Sequence, residues 1–319
     1  MGITNLSQLV LDTGPVLPSS NLYTGNWWFV NEATGSDGNS GSNASPFKTL
    51  AQAQTKAQAN NNDVVAFQGT VHLTSSLLWA KNQVHLIGMC DPLHVGKRAR
   101  ISVTGTTAFN NLVNVSASGC HFKNFGTFYG FNDTLSVGAD VCWLDTGGRN
   151  CYDNVEFDGF GDGTASTGTA NLTAARAFVL NTNTGETTWR NCYFGVDTEQ
   201  RNATNYTVEL KGGAPRLHFE NCTFSADLGS SGTSAAHVLI GADGIDRWCN
   251  FVGCRFMAST LSGGSTMAEA FNVSASAGGV VLLDQCTAFG ITHFETSASG
   301  SVFSNMSVPA ATGGISISV

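Results

Sequence analysis

The chain has 319 residues, 12% of them charged, with 37 Gly and a 42% hydrophobic content that includes 20 Phe and 6 Trp; this supports a large core and excludes global disorder, a helical bundle and a coiled coil. Fifteen basic against 23 acidic residues give a net charge of −8, and with no basic cluster larger than Lys97-Arg98-Ala99-Arg100 a nucleic-acid partner is not expected. No apolar run reaches the length of about eighteen residues needed to cross a membrane, and Met1 to Val10 lacks the basic-then-apolar order of an export signal, so neither a membrane partner nor secretion is expected and the nine Cys read as reduced thiols.

Residues 1–25, with Pro15 and Pro18 and no clear period, read as an N-terminal arm. Residues 26–80 read as a cap and first coil. Within them Ser45-Pro46 supplies a helix start, and Phe47, Leu50 and Ala57 recur at near-helical spacing, which predicts one capping helix over 46–59. Asp37, Asn39 and Gly41 faintly echo a calcium loop, but Lys48 stands at the twelfth position where Glu is required, so the segment reads as a turn.

Residues 81–319 are built on a repeat. Leu86-Ile87-Gly88-Met89, Phe122-Lys123-Asn124-Phe125, Tyr152-Asp153-Asn154-Val155 and Trp189-Arg190-Asn191-Cys192 share a pattern that continues through Phe219-Glu220-Asn221-Cys222, Phe251-Val252-Gly253-Cys254, Leu283-Asp284-Gln285-Cys286 and Phe303-Ser304-Asn305-Met306. The third positions fall at 88, 124, 154, 191, 221, 253, 285 and 305, so the spacings run from 20 to 37 residues. Positions one and four both carry residues that bury well, yet they lie three apart, so an alternating strand must bend between them. Asn or Gly at position three tolerates the left-handed backbone such a corner needs. A further apolar column follows at Phe157, Phe194, Phe224, Phe256 and, less regularly, Val308, and a third short strand precedes each corner, as at Val141-Cys142-Trp143-Leu144. Three short strands per repeat without hairpin signals describe an all-β parallel β-helix, a solenoid of about eight coils. Ile315-Ser316-Ile317-Ser318-Val319 reads as a closing strand that pairs with another subunit. Polar stretches at 129–139, 158–174, 195–206, 225–236 and 257–268 are expected to stack on one side of the shaft.

Candidate sites follow from the columns. Position two faces outward with Lys123, Asp153, Arg190, Glu220, Val252 and Asp284. Asp153 and Glu220 would stand two rungs apart, about 9–10 Å, as a weak glycosidase-like carboxylate pair; a cross-rung charge ladder explains the same alternation of sign. Cys192, Cys222, Cys254 and Cys286 form one inward column, too extended for a tetrahedral zinc site. His85, His121 and His218 share an outward position without a third metal ligand. The acidic run Glu156-Phe157-Asp158-Gly159-Phe160-Gly161-Asp162 reads as the opening of a solvated loop. Tyr129 and Tyr193 are candidate exposed aromatics for sugar binding. No metal or cofactor is expected.

Trp28-Phe29-Val30-Asn31, Gly35-Ser36-Asp37-Gly38 and Ser45-Pro46-Phe47-Lys48-Thr49-Leu50 resemble the opening of right-handed parallel β-helix proteins of the pectate-lyase-like superfamily, including those of tailed bacteriophage virions. Asp63 to Gly69, Asn82 to Gly88 and His121 to Asn124 look like that family's first coils. The Asn column at Asn124, Asn154, Asn191, Asn221 and Asn305 is similar to its internal asparagine ladder. The resemblance implies the fold over about residues 26–308, but the family's catalytic motifs are missing and no catalytic residue is carried over. It also implies a homotrimer. The function expected is that of a non-enzymatic virion protein, a capsid (head) decoration protein, made in the host cytoplasm and released by lysis. Its partners would be other virion proteins, the major capsid or a tail protein. The alternative is a tail spike or fibre that binds or depolymerises a host surface polysaccharide.

Overall fold

The computed structural model describes residues 23–103, 110–129, 141–159, 174–201, 204–229, 235–259, 266–295 and 300–304. Most of the arm, much of the polar stretches, Asn305, Val308 and the closing strand at 315–319 lie outside the described residues.

Every strand pair among the described residues is parallel, and the strands stack into the three faces of a right-handed parallel β-helix. The first face runs from Trp27–Asn31 through Val64–Gln68, His85–Gly88, His121–Phe128, Cys151–Asp158, Thr188–Arg190, Leu217–Glu220, Trp248–Val252 and Val280–Asp284 to Val302–Ser304. That is two rungs more than the repeat count, because Trp27–Asn31 and Val64–Gln68 carry no corner signature and still pair in register, Trp28 with Val65 and Val65 with Leu86. The second face, past the corner, contains Tyr193–Arg201, Thr223–Leu228, Arg255–Ser259 and Thr287–Phe289. Strands therefore extend into three stretches expected to be polar loops, at 195–201, 225–228 and 257–259. The third face holds seven strands, from Leu77–Trp79 to Phe271–Val273.

The corner is a single left-handed residue. Asn124, Asn154, Asn191, Asn221, Gln285 and Gly253 all have φ between 52° and 62°. Asn154 Nδ2 donates to Asn124 Oδ1 at 2.8 Å, and Asn124 Nδ2 donates to the Gly88 and Cys90 carbonyls. The ladder is not internal, however: Asn124 and Asn154 are half-buried, and Asn191 and Asn221 are exposed. A left-handed corner turns the Asn side chain away from the core while the residue after it and the residue two before it point in. Gly88 does not take this conformation. There the chain leaves the corner as a strap, residues 89–99, which includes Met89 as a half-buried side chain and rejoins the second face at Arg100–Val103.

Inside, the aromatic column stacks rung on rung. Phe122 on Tyr152, Tyr152 on Trp189, Trp189 on Phe219 and Phe219 on Phe251 have centroids 5.0, 5.9, 4.1 and 4.5 Å apart with planes within 12°. Phe157, Phe194, Phe224 and Phe256 form a second such stack. The parallel register fixes identical side chains at the same place on each rung, which favours this geometry. Cys192, Cys222, Cys254 and Cys286 fill the column beside the corner, each thiol donating to a backbone carbonyl of the preceding coil.

The capping helix, α1, spans Leu50–Lys56 and not 46–59. Thr49, not Ser45, is its N-cap: its hydroxyl accepts from Gln52 N at 3.1 Å and donates to Asp37 Oδ2 at 2.9 Å. Asp37 also accepts from the Lys48 and Thr49 amides, which holds Pro46 to Lys48 outside the helix. Leu50, Ala53 and Ala57 are buried beneath α1 at the end of the shaft. Asp63, fully buried, ties the cap together by accepting from Asn26 N, Gln58 N, Trp28 Nε1 and Asn61 Nδ2.

Candidate functional site

The outward side of the first face carries the groups with chemistry. Register places Ile87, Lys123, Asp153, Arg190, Glu220, Val252 and Asp284 in one column. Within it Lys123 Nζ meets Asp153 Oδ2 at 3.0 Å, and Arg190 Nε meets Glu220 Oε2 at 3.1 Å. Asp153 and Glu220 are two rungs apart with Arg190 between them, about 9–10 Å along the shaft. The structure does not bring them together; each is clamped to a cation on a neighbouring rung.

A second charged column lies three residues before the aromatic one. Glu186 receives Arg149 Nε at 3.6 Å and Arg216 from the opposite side. Arg149 and Arg216 have φ of 55° and 52°, so a second left-handed corner turns both outward. These residues did not stand out in the repeat because Gln83 and Gly119 occupy the same offset in other coils.

Between the two columns runs a groove of about 410 Å³, bounded by Gln83, His121, Lys123, Arg149, Asp153 and Arg190. A second hollow of about 470 Å³ shares Lys123 and Asp153 and is walled by Pro92 and His94 of the strap. Cys151 lies in the groove, where burial pushes its thiol up to about 11; such a thiol is a poor nucleophile at neutral pH.

His85 and His121 are not free outward histidines. Tyr23, the first described residue, lies over both: its ring is stacked on His121 and edge-on to His85, with centroids 5.9 and 5.2 Å away. His85 is 5% exposed. Burial, above all, lowers both imidazoles to about 4; for His85 the neighbouring His121 adds to this and Asp63 opposes it.

The strap changes the reading of the acidic run. Glu156 is buried on the second face, where it accepts from Gly96 N at 2.8 Å and Lys97 N at 3.1 Å. Asp158, beside it, is pushed well above the usual carboxylate range, first by burial and then by the charge of Glu156. These carboxyls belong to a strand under a cover, not to a solvated loop. The strap reaches across further rungs of the second face, where His94 Nε2 lies 3.1 Å from Thr223 Oγ1 and its ring meets Tyr193 edge-on. Tyr193 is accordingly 3% exposed, and Tyr129 is fully buried. Neither offers a sugar-binding face.

Among the described residues no cluster of three metal-ligating side chains occurs, and no helix is long and apolar enough to cross a membrane.

The sequence matches no known family and no curated protein. Among solved structures, pectin methylesterase PemA from Erwinia chrysanthemi superposes with a TM-score of 0.51 at 13% identity, over 90% of this chain and 83% of that one. A pectin methylesterase in complex with hexasaccharide VII gives 0.50 at 14%, with the same coverage. Geobacillus virus E2 ORF18 reaches 0.35 at 13% over 78% of this chain and 54% of that one, too distant to bear on fold or function. The class defined by rungs, corners and stacks is the right-handed parallel β-helix. The likeness to pectin methylesterases is one of fold alone.

Proposed function

We propose that this chain is a non-enzymatic structural protein of a bacteriophage virion, a homotrimer that decorates the surface of the head. The observation that carries this reading is the ion-pair ladder: Asp153 and Glu220 are each bound to a cation on the neighbouring rung. A glycosidase needs one carboxyl kept neutral to protonate the leaving group, whereas a carboxylate clamped to Lys or Arg serves to fix the register of the rungs. The exterior of the last described coils supports assembly: Phe303, expected at the inward position, pairs instead with outward Leu282, one residue out of the repeat's register, and the two are 53% and 38% exposed, while Phe289 is 71% exposed. Apolar side chains on adjacent rungs suit a subunit contact. The resemblance of the opening segments to those of phage β-helices adds to this reading. Native mass spectrometry tests it: a species of three times 33.4 kDa is expected, and deletion of residues 309–319 should weaken it. A chain that stays monomeric at high concentration would overturn the reading.

The groove favours a second reading. Lys123, Arg149 and Arg190 surround Asp153 along it, a cationic lining that suits an acidic glycan, as a tail spike or fibre would bind. Release of reducing ends or unsaturated sugars from host capsule, abolished by Asp153→Asn or Glu220→Gln, would establish depolymerase activity. Retention on immobilised glycan without turnover would establish binding.

A further inference from the structure

Tyr23 lies just ahead of the first strand, Trp27–Asn31, with its ring over the outward side of the first face. It is held by its neighbours in the first face. The Tyr23 hydroxyl lies 2.5 Å from His121 Nδ1, and its ring also meets Trp27 edge-on. Beneath it, the backbone amide of His121 donates to His85 Nδ1 at 3.0 Å. A backbone amide can only donate, so His85 Nδ1 carries no proton in this arrangement. Its Nε2 faces Asn62 Oδ1 at 3.4 Å, while His121 Nε2 is buried without a hydrogen-bond partner. The rung-to-rung bond thus requires His85 to be neutral, and a cationic His121 would carry a buried Nε2–H with no acceptor.

We propose that Tyr23 is an acid-sensitive latch: protonation of the His85–His121 pair on the rungs beneath it releases its ring from the first face. A proton on His85 Nδ1 would set two donors against each other and break the bond from His121 N. A second proton on His121 would place two cations on neighbouring rungs. The groups facing the pair are Asp63 and Asn62 from the turn before the second rung, and Lys123, Cys151, Asp153 and Arg190 from the first face. Lys123 and Arg190 oppose a charge on His121, and Asp153 favours it.

The sign follows from linkage. A histidine freed from the cluster titrates at about 6.5, and the latched pair does so near 4. The latch is therefore at full strength above about pH 6.5. Below that, each pH unit shifts the balance toward the released state by up to about tenfold per histidine, until the latched form also takes up protons near pH 4.

Hydroxyl-radical footprinting of the full chain between pH 7.5 and 4.5, normalised to the exposed Phe289, tests this. Tyr23 labelling is expected to rise at least tenfold while Tyr152, fully buried in the core, stays protected. His85→Gln keeps an acceptor for His121 N but cannot charge in this range, so it should flatten the rise. Constant Tyr23 labelling in the wild type, a rise that coincides with exposure of Tyr152, or an unaltered rise in His85→Gln would each overturn the latch.

Discussion

Asp153 stands in register with Lys123 on one neighbouring rung and Arg190 on the other, and its carboxylate closes on Lys123 at 3.0 Å while Arg190 turns away to Glu220 at 3.1 Å. The outer column is thus a series of separate pairs and not a continuous chain of charge. Pairs this open to solvent contribute about 0–1 kcal/mol each.

Asp153→Asn and Glu220→Gln are accordingly expected to lower stability by no more than about 1 kcal/mol each, a melting shift of a few degrees at most. Thermal unfolding followed by circular dichroism checks this. Loss of the folded state in either variant would contradict the ladder.

Asp63 is a different case, because it is fully buried and satisfies four donor groups of the cap. Asp63→Ala leaves those donors without an acceptor and should cost about 3 kcal/mol or more. Burial alone would raise its pKa, but the Gln58 and Asn26 amides, then Trp28 and Asn61, more than offset this and hold it below the usual value. The carboxylate's contribution is therefore complete above about pH 4 and is lost as the pH falls through the folded value. An acid titration followed by tryptophan fluorescence should show a transition below pH 4 that is absent in Asp63→Ala.

The cysteine column should be silent to thiol reagents in the native protein. Cys192, Cys222, Cys254 and Cys286 are at most 3% exposed, and burial pushes the Cys222 thiol well up. Only Cys90 and Cys151 are partly accessible. A colourimetric thiol assay should count no more than two reactive groups in buffer and all nine in guanidinium. Fewer than nine after unfolding would reveal disulfides.

The aromatic stack should tolerate shape but not loss. Phe219→Ala removes a fully buried ring that stacks on both neighbours and should cost about 3–5 kcal/mol. Trp189→Phe keeps a ring in the stack and deletes an indole N–H that is buried without a partner, so its cost should be the smaller by at least about 2 kcal/mol. Urea unfolding of the two variants decides this.

The solenoid was legible because each rung repeats the same local problem: two inward residues three apart with Asn or Gly between them imply a bend, whatever the rest of the chain does. What escaped the sequence came from contacts far apart along it. Asp37 reaches Thr49 and shortens the helix that Ser45-Pro46 predicts. Glu156 and Tyr193 follow the outward alternation faithfully, but the strap, which carries no repeat signature, covers them from 60 and 99 residues away. His85 and His121 likewise face outward and are hidden by Tyr23, a single side chain at the end of an aperiodic arm. Alternation tells which face a residue takes, not what lies over that face.

The most direct test of the proposed role is cryo-electron microscopy of purified particles, with antibody-gold labelling of this chain. Regular, threefold density of β-helix dimensions across the head is the expected result. Absence of the chain from the particles would contradict a structural virion role, and density confined to the tail tip would contradict head decoration in favour of a glycan-directed spike.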